Sequence, residues 1–400
     1  MVGMTRSRGS SAAAGQLPPS REDSRPVKVL HLTTVHPATD NRIFHKECRS
    51  LAEAGYEVHL AAAGTVTPSF GVQTFPLRPI PDSRLRRFAT GPTRGLAVVG
   101  ASDFDILHFH DPELLPVGIL AARRGTRVVW DSHEDYFEQF RQVGGKDWMP
   151  HSVKGTVGSA LGVLLRNMDK IAAGVVAATP SIASKYSNAR TVVVGNEARL
   201  NEFAGCDPRP DSRQILFTGW CSEHHLFAEL VEAVAAVPEV LLAVAGRDMS
   251  SPELAQARST LGGRLRVLGW LDRQGLAAEM SRSFLGSGLM RDTPLAIDNS
   301  ANKVFEFAAA GLPSLLTPTP ANLQHQRRGG HAYVSTDFTA RGIGRSIREA
   351  LESPETWWKK SKSGRAWAHE HGDWLRSEAV LLSLYADLAR SLPRAGLINR

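Results

Sequence analysis

An α/β fold of two Rossmann-like, doubly wound domains facing across a cleft is what this sequence predicts. Three observations carry it. Buried strand-like runs alternate with helical stretches from Val27 onward, the alternation lapses over 197–213, and it restarts at Gln214. Such a rhythm implies parallel strands joined by right-handed crossovers. A chain of 400 residues with 42% hydrophobic and 22% charged content is long enough to bury two cores.

The elements follow in order. Residues 1–26 are rich in Ser, Ala, Gly, Pro and Arg and lack an apolar run, so they read as a disordered tail rather than a signal peptide. The first domain, 27–196, has strands at Val27–Leu32, Glu57–Ala62, Ile106–His110, Arg127–Trp130, Gly174–Ala178 and Thr191–Val194. Helices are expected around Phe44–Ala54, Leu114–Arg123 and Ser152–Ala173. Residues 197–213, with Pro208 and Pro210, read as a linker.

In the second domain, 214–374, strands fall at Gln214–Thr218, Val240–Ala245, Arg264–Leu268, Ser287–Met290 and Ser314–Thr317. Helices fall at Leu226–Val237, Arg273–Ser281 and from Asn302. The final segment, 375–392, carries leucines and Tyr385 at helical spacing and needs a partner surface. Ligands of doubly wound sheets bind beyond the carboxyl ends of the strands, so the loops after each strand are the places to look for function.

Composition removes several classes. No apolar stretch approaches the roughly 20 residues a membrane span needs. Cys48, Cys206 and Cys221 are odd in number and far apart, which predicts a reduced, cytoplasmic setting without disulfides. The net charge of +7 comes partly from Arg84, Arg86, Arg87 and Arg94, read as a solvated loop or a contact for anionic lipid. Nucleic-acid recognition is not expected, because no basic stripe interleaved with aromatics occurs. Asp103-Phe104-Asp105 precedes a strand, at the end away from the cleft, and reads as a solvent-facing turn.

The densest signal is 302–313, NKVFEFAAAGLP. Ser300 and Asn302 can cap a helix whose first-turn N–H groups suit a diphosphate, and Glu306 sits one turn in. Ala308, Ala309 and Ala310 let the helix approach the sheet; Gly311 ends it, and Pro313 prevents resumption. In the first domain, His108-Phe109-His110-Asp111 and Asp131-Ser132-His133-Glu134-Asp135 both follow strands and send polar groups toward one cleft. Neither has a local metal-ligand spacing such as H-E-x-x-H, so no metal is assigned.

The 302–313 stretch resembles the donor-site helix of the family 4 glycosyltransferases, which have the GT-B fold. Residues 36–47, HPATDNRIFHKE, resemble the HP-x-x-D-x-R-I-F-x-K-E opening of one branch of that family. The resemblance covers about 27–390. It implies a retaining transferase that moves a hexose-type sugar from a nucleoside diphosphate to an acceptor hydroxyl, with neither cofactor nor metal.

The roles it implies are Glu306 at the nucleoside ribose, Asp298 at the donor sugar and His133 at the transferred sugar. Main-chain groups around Asn299, Ser300 and Asn302, with Lys303, would hold the diphosphate near Gly219. His110 and Asp111 would line the acceptor side. Asp40 and Arg42 would sit at the cleft edge near ligand or stabilise their own turn by a mutual contact. Arg247 would meet a phosphate or pair with Asp248, and Trp270 would lie by the nucleobase or pack. The terminal helix would cross back to the first domain.

Two departures stand out. Asp298 replaces the family's usual glutamate, and the loop Gly219–Leu226 lacks the customary arginine and lysine, leaving His224, His225 or Lys303 to substitute. A nucleotide-sugar epimerase or hydrolase, and a sugar-nucleotide-binding protein without catalysis, are therefore the alternatives. The chain is expected in the cytoplasm, free or peripheral at the inner membrane surface.

Overall fold

The computed structural model describes residues 25–79, 84–142, 151–247, 250–293 and 301–392. Two parallel sheets organise them. The first runs β1 (Lys28–Pro37), β2 (Glu57–Ala63), β3 (Gln73–Leu77), β4 (Ile106–Phe109), β5 (Arg127–Ser132), β6 (Gly174–Ala177) and β7 (Thr191–Val193). The second holds β8 (Gln214–Thr218), β9 (Leu241–Ala245), β10 (Leu265–Gly269), β11 (Leu285–Ser287), β12 (Ser314–Leu316) and β13 (Ala332–Val334). Their orders, β3-β2-β1-β4-β5-β6-β7 and β10-β9-β8-β11-β12-β13, reverse direction beside β1 and β8 respectively. Those reversals are the switch points where doubly wound sheets open a crevice.

Helices cover both faces of each sheet. In the first domain a π-helical turn, Ile43–Cys48, runs into α1 (Arg49–Glu53), followed by α2 (Arg84–Ala101), α3 (Leu115–Arg123), α4 (Tyr136–Gln142), α5 (His151–Ile171) and α6 (Pro180–Ala183). The second has α7 (Phe227–Ala235), α8 (Pro252–Leu261), α9 (Arg273–Ser281), α10 (Asn302–Ala310), α11 (Pro320–Gly329), α12 (Ala340–Glu352) and α13 (Pro354–His371). Their starts are legible chemistry. Ser251, Asp272, Thr319, Thr339 and Ser353 each accept a first-turn N–H at α8, α9, α11, α12 and α13.

The chain then crosses back. In α14 (Trp374–Arg390), Trp374, Leu381, Leu384, Tyr385 and Leu388 pack with Val29, Val58, Ile106, Val129 and Val176 on one face of the first sheet. A fully buried side chain of this size contributes about 1.5–3 kcal/mol, so this one helix is a large part of that core. A Cβ on Gly174 would sit 2.9 Å from Leu384, which shows how closely helix and strand approach.

Two readings from sequence are corrected. The arginine cluster is not a loop but lies on α2, where Arg87 pairs with Glu113 at 3.0 Å and Arg94 donates to the carbonyl of Arg78. Within residues 197–213, read as a linker, Ala198, Phe203 and Cys206 are buried in a core with Phe307, Ala308 and Trp367. Ser287–Met290 begins earlier, as β11 at Leu285. Asp105 accepts from the Lys28 N–H and pairs with Arg25, at the amino end of β4.

Candidate functional site

Strand alternation sorts the first domain's polar residues. Val29, Ile106 and Val129 belong to one core face and Leu30, Leu107 and Val128 to the other, so His31, His108 and Asp131, each two residues on, share the face that α14 covers. Arg42, from the turn after β1, reaches into this face. Its Nε lies 3.0 Å from Glu47 and 3.3 Å from Asp131, while Nη1 donates to the carbonyls of Val194 and Gly195 at 2.8 and 3.1 Å. Burial opposes its charge, but Asp131 and Glu47 outweigh that and hold the guanidinium charged.

Arg42 therefore does not line the cleft edge. Apart from Glu47, its partners lie 89 and more residues away in sequence, which no local reading could supply. Asp40 makes no contact with the Arg42 side chain; its Oδ1 accepts the N–H groups of Arg42 and Ile43, both at 2.9 Å, and so starts the π-helical turn. His110 and Asp111 are likewise interior. His110 is fully buried, with Nε2 3.1 Å from His31 and Nδ1 3.1 Å from Asp131. Asp111 accepts from Thr33 Oγ1 at 2.8 Å and the Thr34 N–H at 2.6 Å.

What opens toward the cleft is a histidine pair. His36 Nε2 lies 3.1 Å from His133 Nε2, and the Tyr136 hydroxyl is 3.2 Å from the same atom. Burial works against charge on His36, but Asp40, Asp111 and Glu134 overcome it and raise the imidazole to about 9. Burial and the His36 charge push His133 down to about 4. At neutral pH, then, a cationic His36 donates to a neutral His133.

This pair predicts a stability optimum. His36 is raised in the folded state, so its contribution is whole below the unfolded pKa near 6.5 and is lost as pH climbs toward about 9. His133 is lowered, so its contribution is whole above 6.5 and is lost as pH falls toward about 4. Urea unfolding across pH should therefore show first-domain stability peaking near 6.5. His133→Phe should flatten the acid limb and His36→Asn the alkaline one; unchanged limbs would refute the assignment.

The second domain presents its own strand ends. Gly219 follows β8 at φ +116, a backbone that side-chain-bearing residues seldom adopt, and is followed by Trp220, which is 57% exposed. After β9, Arg247 donates to Thr39 of the first domain and lies 5.5 Å over the ring of Trp270. Trp270, after β10, is 49% exposed, so its ring is a surface aromatic with Arg247 over it rather than core packing. Asp298, Asn299 and Ser300 lie outside the described residues.

Helix α10 differs from its neighbours at its start. Its N-cap is Ala301, which has no side-chain acceptor, and Asn302 does not cap it. Asn302 Oδ1 instead accepts from Lys46 Nζ of the first domain at 2.7 Å. A Cβ on Gly286 of β11 would fall 2.5 Å from the Phe307 ring, so that glycine lets α10 lie flat on the sheet, and Gly311 closes the helix at φ +70.

Lys303 is buried with its Nζ 3.3 Å from the Thr218 carbonyl, just before Gly219, and 5.3 Å over the Phe217 ring. Burial lowers it to about 8. Burial and the Lys303 charge push His225 down to about 3, and the same two causes lower His224. Of the three substitutes for the absent arginine and lysine, Lys303 is the cation.

Glu306 Oε1 accepts from Asn41 Nδ2 of the first domain at 2.8 Å and lies 2.9 Å from Nη2 of Arg273, the first residue of α9. Both contacts go to the same oxygen. Asn41, Lys46, Arg273 and His36 are site residues that the sequence reading left unassigned. The first two and His36 lie inside the 36–47 motif, so attention to its every polar position would have found them; nothing in the sequence marked Arg273.

Comparison with known proteins places this geometry. Residues 41–197 match the family model described as a glycosyl transferase 4-like domain. A sequence comparison with curated proteins yields no match. Among solved structures, sucrose-phosphate synthase from Thermosynechococcus elongatus superposes with TM-score 0.69 at 17% identity, over 92% of this chain and 100% of that one. HepE of Anabaena, in complex with UDP and glucose, superposes with TM-score 0.67 at 14% identity, over 92% and 100%. WaaG, a glycosyltransferase involved in lipopolysaccharide biosynthesis, gives TM-score 0.65 at 14% identity, over 90% and 99%. Residues 41–197 are thus similar to a glycosyl transferase 4-like domain, and the two sheets share the GT-B fold of these solved structures.

Proposed function

We propose that this protein is a retaining glycosyltransferase that moves a hexose-type sugar from a nucleoside diphosphate to an acceptor hydroxyl. The observation that carries the reading is the pairing on α10 of Lys303, beside the Gly219 turn, with Glu306, whose Oε2 takes neither of its two contacts. In this reading the diphosphate lies between Gly219 and the start of α10, where Lys303 and the helix N–H groups meet its charge. Glu306 Oε2 accepts from the nucleoside ribose, and the exposed Trp270 face with Arg247 receives the base.

His133 faces the transferred sugar, with Asp298 as the proposed partner from the segment before α10. The C1–O bond to phosphate breaks as the acceptor oxygen bonds C1 on the same face, and the departing phosphate oxygen accepts the acceptor's proton. The positive charge this step needs comes from Lys303 and α10, and no metal is invoked at the diphosphate. HepE, a neighbour in fold, is seen with UDP-glucose, which supports a nucleotide-sugar donor. The proposed setting is the cytoplasm, with contact at a membrane surface through the α2 arginines; among the described residues no helix is long and apolar enough to cross a membrane.

The test is thermal stability against UDP, GDP, ADP and dTDP, for the native chain and Glu306→Ala. A nucleotide at a hundredfold excess over its dissociation constant stabilises by about 2.7 kcal/mol. One base should give a shift that the variant loses, and no shift with any nucleotide would remove the donor site. The neutral imidazoles of His224 and His225 favour a second reading, a binder that holds the nucleotide sugar without turning it over.

A further inference from the structure

The most unusual group in the molecule is not in the cleft but beneath it. His108 on β4 and His110 just past its end face the space where His31 of β1 stands, and His31 pairs in register with His108. Glu47, from the π-helical turn, closes the group from the helix side. All four side chains are fully buried, and one nitrogen or oxygen atom from each lies within 4.8 Å of the others. His108 Nε2 has no hydrogen-bond partner, and neither has Glu47 Oε2, the other carboxylate oxygen lying 3.0 Å from Arg42 Nε. A buried polar atom without a partner carries the full cost of its desolvation.

We propose that His31, Glu47, His108 and His110 form a structural zinc-class metal site in the core of the first domain. Three imidazole nitrogens and one carboxylate oxygen are a donor set that suits zinc. Tetrahedral bonds of about 2.0–2.1 Å put ligand atoms about 3.3–3.4 Å apart. His31 Nδ1 and His110 Nε2 are already 3.1 Å apart, His31 Nδ1 is 4.0 Å from Glu47 Oε2, and all the ligand atoms lie within 4.8 Å, so the set closes by a contraction of at most about 1.5 Å.

Outer contacts of the kind that orient metal-binding histidines are in place. His110 Nδ1 is 3.1 Å from Asp131 and His108 Nδ1 is 2.8 Å from the Tyr385 hydroxyl, which leaves His110 Nε2 and His108 Nε2 for an ion. The ligands come from three separate segments, which is why no local spacing announced them. An ion there would tie β1 and β4 to the turn bearing Asn41 and Lys46, the residues that reach Glu306 and Asn302.

The test is metal analysis of the full chain purified from zinc-supplemented cells and dialysed, with the visible spectrum of the protein reconstituted with cobalt(II). The native chain should retain one zinc, and cobalt should give the strong d–d band of a four-coordinate site. Glu47→Gln should lose both, and Tyr385→Phe should bind zinc about 10–100-fold more weakly. The exposed His371→Ala should behave as native. Substoichiometric zinc with no cobalt band in the native chain overturns the proposal whether or not the variants fold, as does zinc retained equally by Glu47→Gln.

Discussion

Lys303→Met is expected to lower turnover about 10²–10³-fold, because it removes a buried cation beside the Gly219 turn, and a preorganised partner to developing charge is worth about 2.7–4 kcal/mol. Methionine keeps the length and packing over Phe217, so the helix should remain in place. The loss should fall mainly in kcat, since charge grows on the leaving diphosphate in the transition state. The native enzyme should carry the same signature in its pH profile. Lys303 titrates at about 8, so donor use should fall as pH rises through that value, and the fall should be absent from the residual activity of the variant. Nucleotide release measured from pH 6.5 to 9.5, a range of about a unit and a half either side of that pKa, separates these outcomes. An alkaline rise in activity would remove Lys303 from the diphosphate.

Arg42→Met should destabilise the first domain by about 3–5 kcal/mol, the usual result of removing one partner from a buried ion network. It strands Asp131 and Glu47 and also frees the carbonyls of Val194 and Gly195. Urea unfolding followed by Trp130, which is fully buried in that domain, would read it, and a loss below about 1 kcal/mol would mean that the network is not a unit. The direction separates this residue from a ligand contact: an arginine at the cleft edge would change donor affinity and leave stability alone.

Arg42 also shows where sequence reading reached its limit. The strand rhythm was legible because parallel strands covered on both faces are unbroken apolar runs. Edge strand β3 has only partly buried or exposed side chains and contains Pro76, so it carries no such run. Helix α2 was hidden by Gly91, Pro92 and Gly95, yet Cβ atoms at the two glycines would meet Glu113 at 2.9 Å and Leu114 at 2.8 Å. They are there for close packing, not for a turn. In the site, motif residues could be found but not oriented. Asn302 looks like a cap until Lys46, 256 residues earlier, takes its oxygen, and Arg42 looks like a ligand contact until Asp131 and Val194 surround it.

Those long-range contacts give the segment 39–46 a mechanical role. Thr39, Asn41 and Lys46 hold Arg247, Glu306 and Asn302, so the first domain grips three of the residues assigned to the donor. On the proposed reading, donor entry at Glu306 is thereby coupled to how the domains sit across the cleft.

The most direct measurement of the central claim is product analysis. The protein is incubated with nucleotide sugars of the base chosen by thermal shift and a panel of hydroxyl acceptors, and products are read by mass spectrometry and anomeric proton NMR. The account predicts nucleoside diphosphate and glycoside in equal amounts, with the donor's anomeric configuration kept and Lys303→Met strongly impaired. Free sugar formed equally without acceptor, interconverted sugar nucleotides, or binding with no product across the panel would contradict it.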